Sequence, residues 1–174
     1  NKGIGLATVK KFIDENWFVC ACVRNISNEL SSLIKKNSGE IFNIELKSEE
    51  SIKSCAKIIL RKFEKIDSLI NCAGTAYGNL FAMTKIQNLR EIFEINFFSQ
   101  VLFSQLISKK MMQKKSGVII NLSSISSIIA DDGTLAYGSS KAALSQATKV
   151  MAKELGKFQI RVNAIAPTFV ETEM

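Results

Sequence analysis

Apolar residues along the chain follow two alternating patterns, short continuous runs and longer stretches with helical spacing. The short runs predict strands at 17–23, 41–46, 66–71, 117–122 and 160–165. The helical stretches predict helices at 3–15, 28–36, 49–64, 88–114 (with a break) and 135–155. Short strands that alternate with helices predict an α/β fold with a parallel sheet, whose strands are joined by right-handed crossovers.

Small or polar residues collect where these elements meet. In a parallel sheet the carboxyl ends of the strands form the ligand-binding edge. Four places carry such residues: Asn1-Lys2-Gly3-Ile4-Gly5, Asn71-Cys72-Ala73-Gly74, Ser123-Ser124 and Pro167-Thr168. Glycines that open a helix let the backbone approach a pyrophosphate, although a turn without a ligand explains two glycines equally well. Together the four places predict a floor beneath an extended ligand.

Length and composition set the class of protein. The chain has 174 residues, of which 47% are hydrophobic and 22% charged, as in an ordinary globular domain. We find no linker or internal repeat, so residues 1–174 are expected to form a single domain. No apolar run reaches the roughly 18 residues that span a bilayer, and no secretory signal stands at the start. We therefore expect no membrane partner.

The net charge of +7 raises the question of nucleic-acid binding. The lysines are scattered over many segments in short clusters, and aromatic residues do not interleave with them. A generally basic surface explains this pattern better than a nucleic-acid site does.

The chain has four cysteines and no histidine. No Cys-x-x-Cys spacing occurs among Cys20, Cys22, Cys55 and Cys72, so we expect no metal site and reduced thiols in a cytoplasmic protein. Without histidine, the Ser-His-Asp and Cys-His mechanisms are excluded. Proton chemistry must come from Tyr, Lys, Asp or Glu.

One candidate pair is Tyr137 and Lys141, at the start of the helix predicted at 135–155. Four residues apart, their side chains lie on one helix face. An ammonium beside a phenol favours the phenolate and makes the tyrosine a better proton donor and acceptor near neutral pH. A chance pair on a solvated face would have the same spacing.

With its neighbours, this pair resembles the short-chain dehydrogenase/reductase family of the compact type. The matching pieces, in the family's order, are Gly3-Ile4-Gly5, Asn71-Cys72-Ala73-Gly74, Asn96, Ser124, Tyr137-x-x-x-Lys141 and Pro167-x-x-x-x-Thr172. The stretches 119–124 and 169–174 are most similar to the 3-oxoacyl-carrier-protein reductases. The resemblance implies a Rossmann-like, doubly wound parallel sheet in three α/β/α layers.

The resemblance also implies catalytic roles. Tyr137 would be the general acid in ketone reduction or the base in alcohol oxidation, and Ser124 would hydrogen-bond the substrate oxygen. Lys141 would tune the tyrosine and hold the nicotinamide ribose hydroxyls. Asn96 would keep a water that links Lys141 to solvent. Alternatively, Ser124 is simply one of several polar residues in a loop, and Asn96 only breaks its helix.

Charge after the strand that ends at Val23 indicates which cofactor binds. An acidic residue there typically binds the free ribose hydroxyl of NAD. Here the residues are Arg24 and Asn25, and Lys2 adds a second cation, which predicts NADP(H) rather than NAD(H). Ordinary surface charge is the alternative. The expected cofactor-binding residues are Asn1, Lys2, Gly3, Ile4, Gly5, Arg24, Asn25, Glu45, Leu46, Asn71, Cys72, Ala73, Gly74, Tyr137, Lys141, Pro167, Thr168, Val170 and Thr172.

The chain departs from the family pattern in several places. The first glycine of the loop and the central strand before it are missing, and the family continues beyond Met174 through a substrate-covering helix and a final strand. Cys72 replaces an asparagine, Thr168 replaces a glycine, and Glu45 stands where Asp or Asn commonly meets the adenine. We expect a piece of a longer protein in which two strands lack a partner, and which folds poorly alone.

These observations favour an NADP(H)-dependent oxidoreductase that acts on a carbonyl or alcohol, including a 3-oxoacyl thioester on a carrier protein. A non-catalytic NADP-binding sensor or structural subunit is the alternative, and a sugar-nucleotide epimerase shares Tyr-x-x-x-Lys. In the family, the helices at 88–114 and 135–155 often pack between subunits, so a homodimer or homotetramer is expected.

Overall fold

A computed structural model describes residues 2–36 and 39–171 of the chain. Its strands are β1 (Val19–Val23), β2 (Gly39–Asn43), β3 (Ser68–Asn71), β4 (Gly117–Leu122) and β5 (Ile160–Ile165). Its α-helices are α1 (Gly3–Asp14), α2 (Asn28–Lys36), α3 (Glu49–Lys62), α4 (Ile86–Phe93), α5 (Ser99–Lys114) and α6 (Leu135–Leu155). Strands and helices alternate along the chain, which confirms the α/β prediction.

The largest shift from the predicted boundaries is at β2, which ends at Asn43 rather than at residue 46. The parallel register runs from Val19 opposite Gly39 to Val23 opposite Asn43, so the ladder stops where β1 stops. Beyond it, the backbone N–H of Glu45 donates to Ser51 Oγ at 2.9 Å. The chain therefore turns into α3 at Glu45, and Glu45 follows the strand instead of belonging to it.

The described strands form two parallel sheets, β1–β2 and β3–β4–β5. Neither β1 nor β3 pairs with a second strand on its other side within the described part of the chain, as expected when a central strand is lacking. The prediction that 17–23 is buried on both faces is wrong in part, since within β1 only Ala21 is fully buried. Because β1 is an edge strand, its other four residues stay partly exposed.

Helices cover both faces of the β1–β2 sheet, which gives the predicted α/β/α layers there, whereas Arg161, Asn163 and Ile165 leave one face of β5 exposed. Cys20 and Cys22 point to one face and pack against a core cluster that includes Ile52 of α3 and Phe103 of α5. Ala21 points to the other face, into a second cluster formed with α1 and α2. This alternation follows from the period of two of a strand.

A buried polar chain ties β3 and β4 to the helices on one face. Asn71 and Asn121 are opposite each other in the register, and Asn71 Nδ2 donates to Asn121 Oδ1 at 2.7 Å and to Ser104 Oγ of α5 at 2.9 Å. Asn121 Nδ2 donates in turn to Thr148 Oγ1 of α6 at 2.8 Å. We call this set of bonds the buried polar network. Because buried amides must be paired, the network fixes how α5 and α6 lie on the sheet.

The predicted break in the helix at 88–114 is confirmed. A π-helical turn, Glu94–Phe98, separates α4 from α5 and holds the fully buried Asn96. Such wide turns are frequent at functional sites. In the described part of the chain, no helix combines the length and apolarity needed to cross a bilayer.

Candidate active site

Lys141 lies at the centre of the candidate site. It is 3% exposed, and its Nζ donates to the backbone carbonyl oxygen of Leu122, the last residue of β4, at 2.7 Å. The same Nζ lies 5.8 Å from the centre of the Tyr137 ring. The spacing of four thus brings ammonium and ring together at the carboxyl end of the sheet, as predicted.

The electrostatics of Lys141 follow from its burial. Loss of hydration lowers the pKa of the ammonium to about 8, and the neighbouring Cys72 thiol partly opposes this shift. Strongly lowered lysine pKa values of this kind are frequent at functional sites.

Asn96 holds the segment after β3 against α6. Its Oδ1 accepts from the Thr75 N–H at 2.8 Å, and its Nδ2 donates to the Thr75 carbonyl at 2.9 Å and to Ser140 Oγ at 3.1 Å. Ser140 Oγ donates to the Tyr137 carbonyl at 2.7 Å. Through these contacts Asn96 positions the loop and the helix that carry the site. Its role in holding a water stays a prediction.

Gly74 lies beside both Lys141 and Asn96. A Cβ at this glycine would lie 3.4 Å from Lys141 Nζ and 3.6 Å from Asn96 Oδ1. The missing side chain therefore leaves a cradle beside the ammonium. A sugar hydroxyl in that cradle would meet a positively charged donor.

The two adjacent serines after β4 have different surroundings. Ser123 Oγ lies 2.6 Å from Ser145 Oγ and 3.2 Å from the Lys141 carbonyl, so it packs against α6. Ser124 Oγ accepts from the Ser126 N–H at 3.2 Å and keeps its own proton to donate. Ser124 is therefore the better candidate for a bond to a substrate oxygen.

The glycine loop lies beside the end of β3. Gly3 opens α1 with φ +53°, a left-handed conformation that favours glycine. At Gly5 a Cβ would sit 3.6 Å from Cys72 Cβ, so α1 approaches the strand end closely. Burial raises the pKa of the Cys72 thiol, while the Thr8 hydroxyl and the Lys141 ammonium partly lower it.

The loop after β5 joins both halves of the site. The Pro167 carbonyl accepts from the Ile125 N–H at 2.9 Å, next to Ser124. Val170 lies in a groove of about 480 Å³ that is also lined by Gly3, Ile4 and Thr8. Thr168, on the same loop, is exposed. The residues predicted at three strand ends and at the glycine loop thus meet along one side of the molecule.

Other predicted cofactor residues have different surroundings. The Asn71 side-chain nitrogen donates within the buried polar network, to Ser104 and Asn121, and not towards a ligand. Leu46 packs against the core. Arg24 and Glu45 lie together at the surface, with Nη1 and Oε2 4.0 Å apart. Asn25, Lys2 and Ala73 are exposed, the last in the strand-end segment that also holds Gly74, while Asn1 and Thr172 lie outside the described residues.

The arrangement fits a dinucleotide. The cradle at Gly74 places the Lys141 ammonium where ribose hydroxyls could bind, the N-terminus of α1 could take the pyrophosphate, and Arg24 could take a 2′-phosphate. Among the described residues no group of three or more His, Cys, Asp or Glu side chains could hold a metal ion.

Sequence reasoning missed several residues that build the site, among them Gln100. Gln100 is buried, and its Nε2 donates to the Ala73 carbonyl at 2.6 Å, which holds the strand-end segment from behind. Its Oε1 is buried without a hydrogen-bond partner among the described residues. A glutamine on the buried face of a helix was the signal that could have found it.

Similar proteins are found both by sequence and by structure. The family model described as short chain dehydrogenase matches residues 1–174. A 3-oxoacyl-[acyl-carrier-protein] reductase, FabG, of Thermotoga maritima is 33% identical over 99% of this chain and 72% of its own length. An NAD-dependent glycerol dehydrogenase of Listeria innocua is 30% identical over 99% of this chain and 68% of its own length.

Among solved structures, ElxO with NADP bound has a TM-score of 0.90 at 27% identity, and the match covers 99% of this chain and 71% of ElxO. These matches place the chain among NAD(P)-dependent oxidoreductases that act on carbonyl and hydroxyl groups, and they confirm the Rossmann-like fold. The chain belongs to the short-chain dehydrogenase family.

Proposed function

We propose that the protein transfers a hydride between NADP(H) and a carbonyl or alcohol substrate, with a 3-oxoacyl thioester as the first substrate class to test. The observation that carries the proposal is the buried Lys141 ammonium, which lies beside the Tyr137 ring and the open cradle at Gly74. The Thermotoga relative, named as a 3-oxoacyl-[acyl-carrier-protein] reductase, supports the substrate class.

Tyr137 is the proton donor in carbonyl reduction and the acceptor in alcohol oxidation. The bound cofactor supplies or takes up the hydride, which is chemistry that the protein side chains cannot perform. The Lys141 ammonium favours the phenolate that Tyr137 becomes after it gives up its proton. Since Nζ is fixed by the Leu122 carbonyl, this charge is in place before substrate binds.

Ser124 stabilises the substrate oxygen. Its hydroxyl accepts from the Ser126 N–H, an arrangement that orients the oxygen and leaves the proton to donate. Negative charge develops on the carbonyl oxygen during reduction, and a fixed donor at that point lowers the barrier. Asn96 positions the surrounding segments, and we propose that it also keeps the water that reprotonates the site.

Arg24 favours NADP(H) over NAD(H). Its guanidinium is exposed at the end of β1, where a 2′-phosphate could accept two hydrogen bonds from it. The ElxO structure with bound NADP supports this preference, whereas the NAD-dependent Listeria relative shows that a similar chain can use the other cofactor.

A single domain in a cytoplasmic homodimer or homotetramer completes the proposal. Phe98, at the end of the π-helical turn before α5, is 53% exposed, and Val150 of α6 is 46% exposed. These apolar side chains support subunit contacts through the two helices. A non-catalytic NADP sensor is less well supported, because a protein that only binds the cofactor needs no proton relay such as Asn96, Ser124, Tyr137 and Lys141.

A matched pair of serine variants tests the proposal. The full-length protein is assayed for NADPH oxidation with ketoacyl thioesters, sugars and small ketones. Ser124→Ala should lower kcat by at least about a hundredfold, since it removes an oxyanion donor, and should lower the thermal midpoint only slightly, since the Ser126 N–H loses its acceptor. Ser123→Ala should lower stability and leave kcat within a few fold. Equal activity in Ser124→Ala and the wild type would contradict the proposed role.

A further inference from the structure

We propose that Glu45 is a second determinant of cofactor specificity and that it acts against Arg24 by weakening the preference for a 2′-phosphate. This inference rests on the proposed NADP(H) function and concerns the opposite end of the cofactor from the reacting carbonyl. Arg24 follows β1 and Glu45 follows β2, so the parallel pairing of these strands brings the two charges to one edge.

The Glu45 carboxylate is held in place by its own turn. Oε1 accepts from the Lys47 N–H at 3.1 Å, while the Glu45 N–H donates to Ser51 Oγ at 2.9 Å. The Glu45 carbonyl accepts from the Ser48 N–H at 3.0 Å. With one oxygen and both backbone groups engaged, the carboxylate keeps its position although the side chain is partly exposed.

The second carboxylate oxygen faces Arg24. Oε2 lies 4.0 Å from Arg24 Nη1. The Arg24 backbone is tied to β2, because Asn43 Nδ2 donates to the Arg24 carbonyl at 3.0 Å and the Ile44 N–H donates to the Val23 carbonyl at 3.1 Å. The backbones at Arg24 and Glu45 are therefore held close together, which keeps the two side chains within reach of each other.

Lys47 does not take over the neutralisation of Glu45. Its Nζ lies 3.1 Å from Glu91 Oε2 of α4, so its charge is directed to another helix. A phosphate that binds Arg24 thus meets the negative charge of Glu45 at close range. It must also compete with the carboxylate for the guanidinium donors.

The same carboxylate suits the other cofactor. A free ribose 2′-hydroxyl can donate to an acidic side chain, which is how acidic residues at this edge of the fold favour NAD. Arg24 and Glu45 together give the site one group that favours the phosphate and one that opposes it. Removal of the negative charge should therefore increase discrimination in favour of the phosphate.

Titration calorimetry of the full-length protein with 2′,5′-ADP and with 5′-AMP tests this without any turnover. Glu45→Gln keeps the shape of the side chain and an oxygen for the Lys47 N–H. We expect it to tighten 2′,5′-ADP binding about threefold to tenfold, the effect of removing a like charge a few ångström away at a solvated surface. Binding of 5′-AMP should tighten by less, or should weaken.

Glu40→Gln is the matched control. Glu40 is on β2 as well, but it pairs with Lys62 at 2.7 Å and should leave both affinities unchanged. Equal 2′,5′-ADP affinity in Glu45→Gln and the wild type would overturn this inference alone. A wild-type protein that fails to bind 2′,5′-ADP at all would overturn the proposed NADP(H) function and this inference with it.

Discussion

The Lys141 ammonium donates its 2.7 Å hydrogen bond to the carbonyl of Leu122, a residue 19 positions earlier in the chain. The bond joins the first turns of α6 to the last residue of β4. It fixes a positive charge at the carboxyl end of the sheet, between the Tyr137 ring and Gly74. The ammonium is thereby held in position for catalysis, although its removal from water costs free energy.

Lys141→Met should separate these two effects. Methionine fills a similar volume without the charge, so we expect kcat to fall at least about a hundredfold while stability near pH 7 changes by no more than about 1 kcal/mol or increases. Steady-state kinetics and urea unfolding measure the two quantities. Lys149→Met, on the exposed side of the same helix, should retain full activity; a loss in both variants would show a general effect of charge.

The lowered pKa of Lys141 predicts how stability depends on pH. In the unfolded chain a lysine titrates near pH 10.4, whereas burial lowers the pKa of Lys141 to about 8 in the folded protein. Between these values the unfolded chain binds more protons, so the contribution of Lys141 to stability rises with pH, by up to about 3 kcal/mol. Below about pH 8 the full cost of burying the charge remains.

Urea unfolding of the wild type and Lys141→Met at pH 7, 8, 9 and 10 measures this contribution. The stability difference between the two proteins should shift in favour of the wild type as the pH rises above about 8. A difference that stays constant over the whole range would mean that Lys141 titrates normally.

Gly74→Ala tests the cradle. The added methyl group would lie 3.4 Å from Lys141 Nζ, which is ordinary contact, so we expect a folded protein. Because the methyl fills the space in which a ribose hydroxyl would meet the ammonium, activity should fall roughly tenfold to hundredfold with a raised KM for NADPH. Gly78→Ala is the control, since its added carbon would meet only the Gly133 carbonyl, at 3.7 Å. Unchanged kinetics in Gly74→Ala would place the cofactor elsewhere.

Asn121→Ala should destabilise the fold. Asn121 is fully buried and connects Asn71 to Thr148, so its loss removes one hydrogen-bond partner from each of these two buried side chains and opens a cavity. We expect a loss of about 2 to 4 kcal/mol in the free energy of unfolding, measured by urea denaturation. Asn163→Ala, exposed on the neighbouring strand β5, should cost less than about 0.5 kcal/mol. Similar losses in both variants would mean that the buried polar network does not contribute to the free energy of unfolding.

Local patterns in the sequence predict some elements fully. The bounds of β4, β5 and α6 agree with the prediction because their apolar patterns are long and end at glycine, proline or polar loops. The end of β2 was misplaced because it depends on pairing with β1, which is not visible in the local pattern.

The candidate site shows the same division. Tyr137 and Lys141 could be predicted as neighbours because one helix turn separates them. The Leu122 carbonyl, the clamp of Asn96 on Thr75 and the use of the Asn71 amide in the interior all depend on contacts between distant segments. Arg24 was predicted as a phosphate ligand without its acidic neighbour Glu45, for the same reason.

The proton-donor role of Tyr137 is the central claim, and its most direct test uses the two tyrosines of the chain. Tyr137→Phe and Tyr77→Phe are assayed for NADPH oxidation with a 3-oxoacyl thioester, and NADPH binding is measured in parallel. We expect Tyr137→Phe to bind NADPH but to lose at least about a hundredfold in kcat, while Tyr77→Phe stays within a few fold of the wild type. Wild-type turnover by Tyr137→Phe would contradict the account.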